Sequence, residues 1–197
     1  MGACRFGHLS IVNTLLAAGA DVTIQTNSGV SALNKAVCNG HIDVIGALFR
    51  HGADVNACDD DGCTPLHVAA REDQAGAIDA LMQAGANIES SSEGGSLAPL
   101  FFAINHCSLK AMHTLLRHGA SFTVQDTGGN TPLHRACYYY VEYRQKICLR
   151  QPSGGPPGAP TRRAPSRRNP GGLRGAGCRN TPSASCCSKL QTAVAAL

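Results

Sequence analysis

The stretch DGCTPLHVAAREDQAGAIDALMQAGA, residues 61–86, spells out two helices and the turns that bound them. Thr64 offers a hydroxyl to cap a helix start, and Pro65 takes the first helical position, where its missing N–H costs nothing. Ala69 and Ala70 are small enough to let this first helix approach its neighbours closely. A second apolar set, Ala77, Ile78, Leu81 and Met82, falls at i, i+1, i+4 and i+5, which is one side of a helix. Gly85 follows three residues later, where a helix commonly ends on a left-handed residue without a Cβ.

The same text recurs on both sides. Gly-Ala pairs stand at Gly19-Ala20, Gly52-Ala53, Gly85-Ala86 and Gly119-Ala120, spaced by 33, 33 and 34 residues. The apolar sets ahead of the other three are Ile11, Val12, Leu15, Leu16; Val44, Ile45, Leu48, Phe49; and Ala111, Met112, Leu115, Leu116. Each predicts a helix with one buried face. Helix starts at Ser31-Ala32-Leu33, Ala98-Pro99-Leu100 and Thr131-Pro132-Leu133 keep the phase of Thr64-Pro65-Leu66. Between units lie turn residues, among them Asn27-Ser28-Gly29, Asp59-Asp60-Asp61-Gly62, Ser92-Glu93-Gly94-Gly95 and Asp126-Thr127-Gly128-Gly129.

A period of 33, a Thr-Pro-Leu-His helix start, Gly-His at Gly7-His8 and Gly40-His41, and Gly-Ala-Asp-Val at residues 19–22 and 52–55 resemble ankyrin repeats over about residues 3–140. The resemblance implies an all-α solenoid of four to five helix-turn-helix units, with the turns forming hairpin fingers and the first helices lining a concave face. The units beginning at Ser31 and Ala98 lack the Thr and the His, which puts the family's hydrogen bonds in doubt there. An extra residue near Gly95-Ser96 lengthens one finger. The chain begins inside a first helix, and its last unit runs from Thr131 into Tyr138-Tyr139-Tyr140 without a second Gly-Ala end. Neither end reads as a finished cap, as a fragment, a splice variant or a faulty gene model of a longer array would also show, so marginal stability is expected for residues 1–143.

Charge divides the chain. Residues 1–143 carry 13 acidic and 7 basic side chains, and residues 144–197 carry 10 basic and no acidic ones. From about Gln151 the periodicity gives way to Pro, Gly, Arg and Ser, a composition that cannot bury enough apolar surface to offset the entropy of ordering. The expected organisation is a repeat array over residues 1–143 and a disordered basic tail over 144–197, a tail that translation in an unintended frame would also produce. Opposite charge on one chain is expected to hold the tail loosely against the array, the more weakly as salt is added. Pro157 to Arg162 matches a ligand form of Src homology 3 domains and the paired arginines match nuclear or nucleic-acid signals, but solvated charge is the preferred reading, because no aromatic side chain interleaves them.

Ten scattered cysteines with no apolar leader ahead of them argue for free thiols in a reducing compartment, the cytoplasm or the nucleus. Met1-Gly2-Ala3-Cys4 resembles an acylation signal, but Phe6 stands where Ser or Thr is needed. No run of about 18 uncharged apolar residues predicts a membrane helix. His67 and His134 are the metal or catalytic candidates, and Cys58 and Cys63 lie close to His67 in sequence, yet no complete zinc spacing is present; His8, His41, His51, His106, His113 and His118 have no nucleophile signature beside them. Neither a catalytic site, a metal nor a cofactor is expected.

The implied function is that of a non-catalytic scaffold binding another protein, with a regulatory or targeting segment of a larger enzyme or channel as the alternative and nucleic-acid association through the tail as a weaker third reading. Candidate contact residues are those polar positions the repeat does not need for packing. On the fingers they are Gln25, Asn27, Ser28, Asp59, Asp60, Asp61, Glu93 and Asp126; on the concave face, Lys35, Asn39, Arg71, Glu72, Asn105 and His106.

Overall fold

The computed structural model describes residues 1–92 and 97–139. The tail from residue 144, its proline motif and the lengthened finger at residues 93–96 with Glu93 lie outside them. The helices are α1 (Gly2–Arg5), α2 (Leu9–Ala17), α3 (Ala32–Cys38), α4 (Ile42–Arg50), α5 (Pro65–Arg71), α6 (Ala75–Gln83), α7 (Pro99–Asn105) and α8 (Leu109–Arg117), and residues 132–139 are helical. Among the described residues there is no strand, only an antiparallel bridge between Gln25 and Ser31 at the base of the first finger.

Helices of a kind stack on one another: α1 on α3, α3 on α5 and α5 on α7 in one row, α2 on α4, α4 on α6 and α6 on α8 in the other. The core runs unbroken between the rows, through Leu33, Ala36, Val37, Ile45, Leu48, Leu66, Ala69, Ile78, Leu81 and Leu115. Each fully buried leucine contributes about 1.5–3 kcal/mol. In α2 only Val12 and Leu16 are buried, while Ile11 and Leu15 stay half-exposed, unlike their counterparts in α4, α6 and α8. Periodicity marks the apolar side of a helix, but burial needs a neighbour to cover it, and no described unit lies on that side of α2.

The units are tied by side chains reaching back to main-chain carbonyls. His41 Nε2 donates to Arg5 O at 2.9 Å, Gln74 Nε2 to Cys38 O at 3.5 Å and Ser108 Oγ to Arg71 O at 2.9 Å. The donors stand 33 and 34 residues apart, so this is one rung repeated. It satisfies a carbonyl that each first helix leaves open at its C-terminus. At the outer loops Asn56 Oδ1 accepts from Asn87 N and Glu89 Oε1 from Ser121 N. The second residue after each first helix is left-handed: Gly7 and Gly40 in the first two units, but Asp73 at φ 56° in the third and Cys107 at φ 55° in the fourth. Asp73 repays its conformation by accepting from Ala111 N of α8 at 2.9 Å.

The two departures from the Thr and His pattern are resolved differently. In α5 the His67 ring joins Thr64 to the next finger, with Nε2 donating to Leu97 O at 2.9 Å. In α7 the equivalent residue is Phe101, wholly buried, which fills the space by bulk. In α3 it is Asn34: Ser31 Oγ still accepts from Asn34 N at 3.1 Å, but both side-chain polar atoms of Asn34 are buried without a partner. The amide is shorter than an imidazole and stops before the next finger. Asn34→His should therefore restore the bond and raise stability by about 1–2 kcal/mol, read as a higher melting temperature by circular dichroism. An unchanged or lower melting temperature would show that the gap at Asn34 is not one of reach.

Candidate functional site

The fingers are built on their first residue. Thr26, Asp59, Ser92 and Asp126 are spaced by 33, 33 and 34 residues, and the side chains of Thr26, Asp59 and Asp126 fold back to take main-chain N–H groups of their own turn. Asp59 Oδ1 accepts from Asp61 N at 3.1 Å and Cys63 N at 2.8 Å. Asp126 accepts from Gly128 N, Asn130 N and the Asn130 amide, and its other oxygen meets Arg135 at 2.7 Å. The main-chain N–H of Asn130, chief among these donors, and the Arg135 guanidinium hold its carboxyl at about 2.

Asp126 was expected on the binding surface, and the structure instead buries its side chain, 1% exposed, as the brace of its finger. Asp59 is half-buried in the same role. What the second finger presents to solvent is Asp60 and Asp61. Its main chain also leans on the first finger, where Asp60 N donates to Ser28 O and Gln25 Nε2 to Cys58 O at 3.2 Å. Gln25 and Ser28 are exposed but partly committed to these bonds, whereas Asn27 is exposed at the turn.

The second cluster lies where the first helices end. Arg5, Cys38, Arg71 and Asn105 are the last residues of α1, α3, α5 and α7, and Phe6, Asn39, Glu72 and His106 follow them. Stacking of the four helices brings these eight into one row. Arg71 Nε meets Glu72 Oε1 at 2.9 Å. Asn39 Nδ2 turns back onto Lys35 O at 2.9 Å, leaving Asn39 exposed and Lys35 half-buried.

Charge in the row is shared. Burial raises the Cys38 thiol, Glu72 adds to the rise, and Arg71, Lys35 and Arg5 oppose it. Burial, then Arg71, lowers the His106 imidazole, with Glu72 opposing. Asn39, Arg71, Glu72, Asn105 and His106 are thus placed along one row, with Lys35 one turn before Asn39 in α3, and Asn105 Oδ1 is buried there without a partner. Sequence reasoning left out Arg5 and Cys38, although both stand in register with Arg71.

The metal and acid-base candidates have other work. His67 is wholly buried, with Nδ1 held by the main-chain N–H and hydroxyl of Thr64 and Nε2 by Leu97 O. Burial lowers its pKa, and burial pushes the Cys63 thiol up to about 11. Among the described residues no three His, Cys, Asp or Glu side chains are placed to hold a metal ion, and no helix is long and apolar enough to cross a membrane.

Stacked helix pairs with laced fingers and a polar row across four units define a repeat solenoid whose surface, rather than an enclosed pocket, is available for recognition. Models of ankyrin repeats match residues 1–92, as three copies, and residues 100–139. The chain belongs to the ankyrin-repeat family, whose repeats are in general protein–protein interaction modules. Comparison with curated proteins gives no match.

Proposed function

We propose that the chain is a non-catalytic scaffold that binds a partner protein across its fingertips and along the row where its first helices end. The observation that carries this reading is the row itself. In four successive units the row carries a charged, amide or imidazole group (Arg5, then Asn39, then Arg71 and Glu72, then Asn105 and His106), and stacking lines them up. Residues 1–143 form the binding array in this reading, with 144–197 as a basic tail. Cys4, Cys38, Cys58, Cys63 and Cys137 are free thiols, which supports work in a reducing compartment, the cytoplasm or the nucleus.

Photo-crosslinking of the full chain in cells tests it. A crosslinking amino acid at Asn39 or Asn27 should give discrete adducts, and one at Gln83, exposed at the end of α6, should not. Adducts from Gln83 alone would move the binding face to the opposite side. With the captured partner in hand, Asp60→Ser together with Asp61→Ser should slow association about three- to tenfold at low salt and leave helicity intact, because exposed rim charges act mainly on the encounter rate. An unchanged rate would remove this finger from the site.

A further inference from the structure

The outer loops of neighbouring units are laced at two interfaces and open at the one before them. Asn56 Oδ1 accepts from Asn87 N, and Glu89 Oε1 from Ser121 N. In register with Asn56 and Asn87, 33 residues earlier, stand Thr23 and Asp54. Thr23 has a shorter side chain, and its hydroxyl donates instead to Asp21 Oδ1 at 2.6 Å. Among the described residues none accepts from Asp54 N. Where the lace is missing, an open hollow of about 300 Å³ lies between the loops, lined by apolar Val22, Leu33, Ala53 and Ala57 and by polar Thr23, Gln25 and Asp54. Ligand pockets run from about 300 to 1,000 Å³, so a space at the low end has room for one long side chain.

Charge and the free acceptors select the occupant. The two segments that flank the hollow, residues 19–34 and 52–64, carry Asp21, Asp54, Asp59, Asp60 and Asp61 and neither lysine nor arginine. Among the described residues no ion pair neutralises any of the five. Gln25 spends its Nε2 on Cys58 O and keeps Oε1, Thr23 spends its hydroxyl proton on Asp21, and Asp54 commits only Oδ1, to Asn56 N at 2.9 Å. Several separate acceptors around an apolar floor suit a guanidinium on its aliphatic stem better than the point charge of an ammonium. Resting on the scaffold reading above, we propose that the hollow seats an arginine side chain from an extended basic segment of the partner protein, whose main chain offers a carbonyl to the open N–H of Asp54. The neighbouring Asp60 and Asp61 then draw the segment in, and the hollow fixes its register.

Amide NMR of the full chain, titrated at low salt with the acetylated, amidated tripeptide Ala-Arg-Ala, tests the hollow. Saturable shifts are expected at Thr23, Gln25, Asp54 and Ala57, and none with the citrulline version of the peptide, which has the same shape and no charge. Asp54→Asn should weaken binding about three- to fivefold, the range of a solvent-exposed ion pair. Ala57→Leu, which fills the hollow without touching its charge, should abolish binding with helicity intact; if that variant loses helicity, Asp54→Asn carries the comparison alone. Equal binding of the citrulline peptide, an affinity unchanged in Asp54→Asn, or shifts centred on another carboxylate such as Asp43 or Asp79 would each overturn the proposal. Shifts at the same four amides on replacing Arg162 and Arg163 with serine, before any peptide is added, would give the hollow to the chain's own tail and overturn it as well. A captured partner that the Ala57→Leu chain binds as tightly as the wild type overturns this docking and leaves the scaffold reading standing. A chain that yields no adducts from Asn27 or Asn39 sinks the scaffold reading, and with it the partner assigned to the hollow.

Discussion

Replacing His67 with alanine is expected to cost about 3 kcal/mol, the sum of the lost half of a capping box, a lost bond to a buried carbonyl and the cavity left by the ring. The ring sits between two units. Its Nδ1 accepts from Thr64 N at 3.1 Å and from the Thr64 hydroxyl at 2.9 Å, which fixes the tautomer with the proton on Nε2, donated to Leu97 O. The ring also meets Phe102 edge-on, centroids 4.9 Å apart. Alanine leaves the Thr64 N–H without its acceptor and takes the short imidazole bond from the Leu97 carbonyl, which keeps Ser92 N at 3.3 Å, and it opens a cavity where the ring stood. Against a total of roughly 5–15 kcal/mol for a domain, this is a large share. Urea unfolding followed by circular dichroism should show the loss as an earlier midpoint at similar slope; a loss below about 1 kcal/mol would mean that the bonds are remade by neighbours.

The same residue makes the array sensitive to acid. Burial lowers the His67 pKa from 6.5, so the unfolded chain takes up a proton before the folded one does. Its contribution is complete above the unfolded value and declines as pH falls below 6.5 toward the folded value. Asp79 and Asp126, both lowered from 3.8, act only below that pH, so the windows separate. The melting temperature should fall as pH drops from 6.5 toward 5, roughly the span of a histidine titration, and the fall should shrink in His67→Gln. An equal fall in that variant would assign it to another group.

Phe101→Ala is expected to cost about 3–5 kcal/mol, the range for removing a buried aromatic ring. Phe101 is 0% exposed and occupies the position that His67 holds in the unit before it. Ala98, at the head of the same helix, has no hydroxyl to cap with, and no side chain caps α7. Cohesion there rests on volume rather than hydrogen bonds. Phe101→Leu, which keeps much of that volume, should recover most of the stability. If leucine and alanine prove equally damaging, the interface depends on the shape of the ring.

The helices were legible in the sequence because the first helices open on a local chemical mark such as Thr64-Pro65, and the second ones show an apolar period closed by a glycine such as Gly85. Two properties were not. Polarity was taken for exposure at Asp59 and Asp126, yet a carboxylate that opens a tight turn finds the main-chain N–H groups two and four residues ahead, and Asn130 beside Arg135 was the available hint of that use. Bonds between units had no local mark, since His41 and Arg5 are 36 residues apart and look unrelated until the period is laid over them. The row of helix ends was half seen for the same reason: Lys35 and Arg71 stood out as charges, while Arg5 and Cys38 belong to it only by register.

The repeated rung from His41, Gln74 and Ser108 gives the chain a mechanical grain. Each rung joins one unit only to the unit before it, so a load applied along the stack meets the rungs in series. Pulled by its ends in an optical trap, the protein should yield in discrete jumps. A unit of 33 residues, once freed, lengthens the tether by up to about 110–120 Å of extended chain. The joint held by Gln74, at 3.5 Å, is the longest link of the three and the natural place for the first slip.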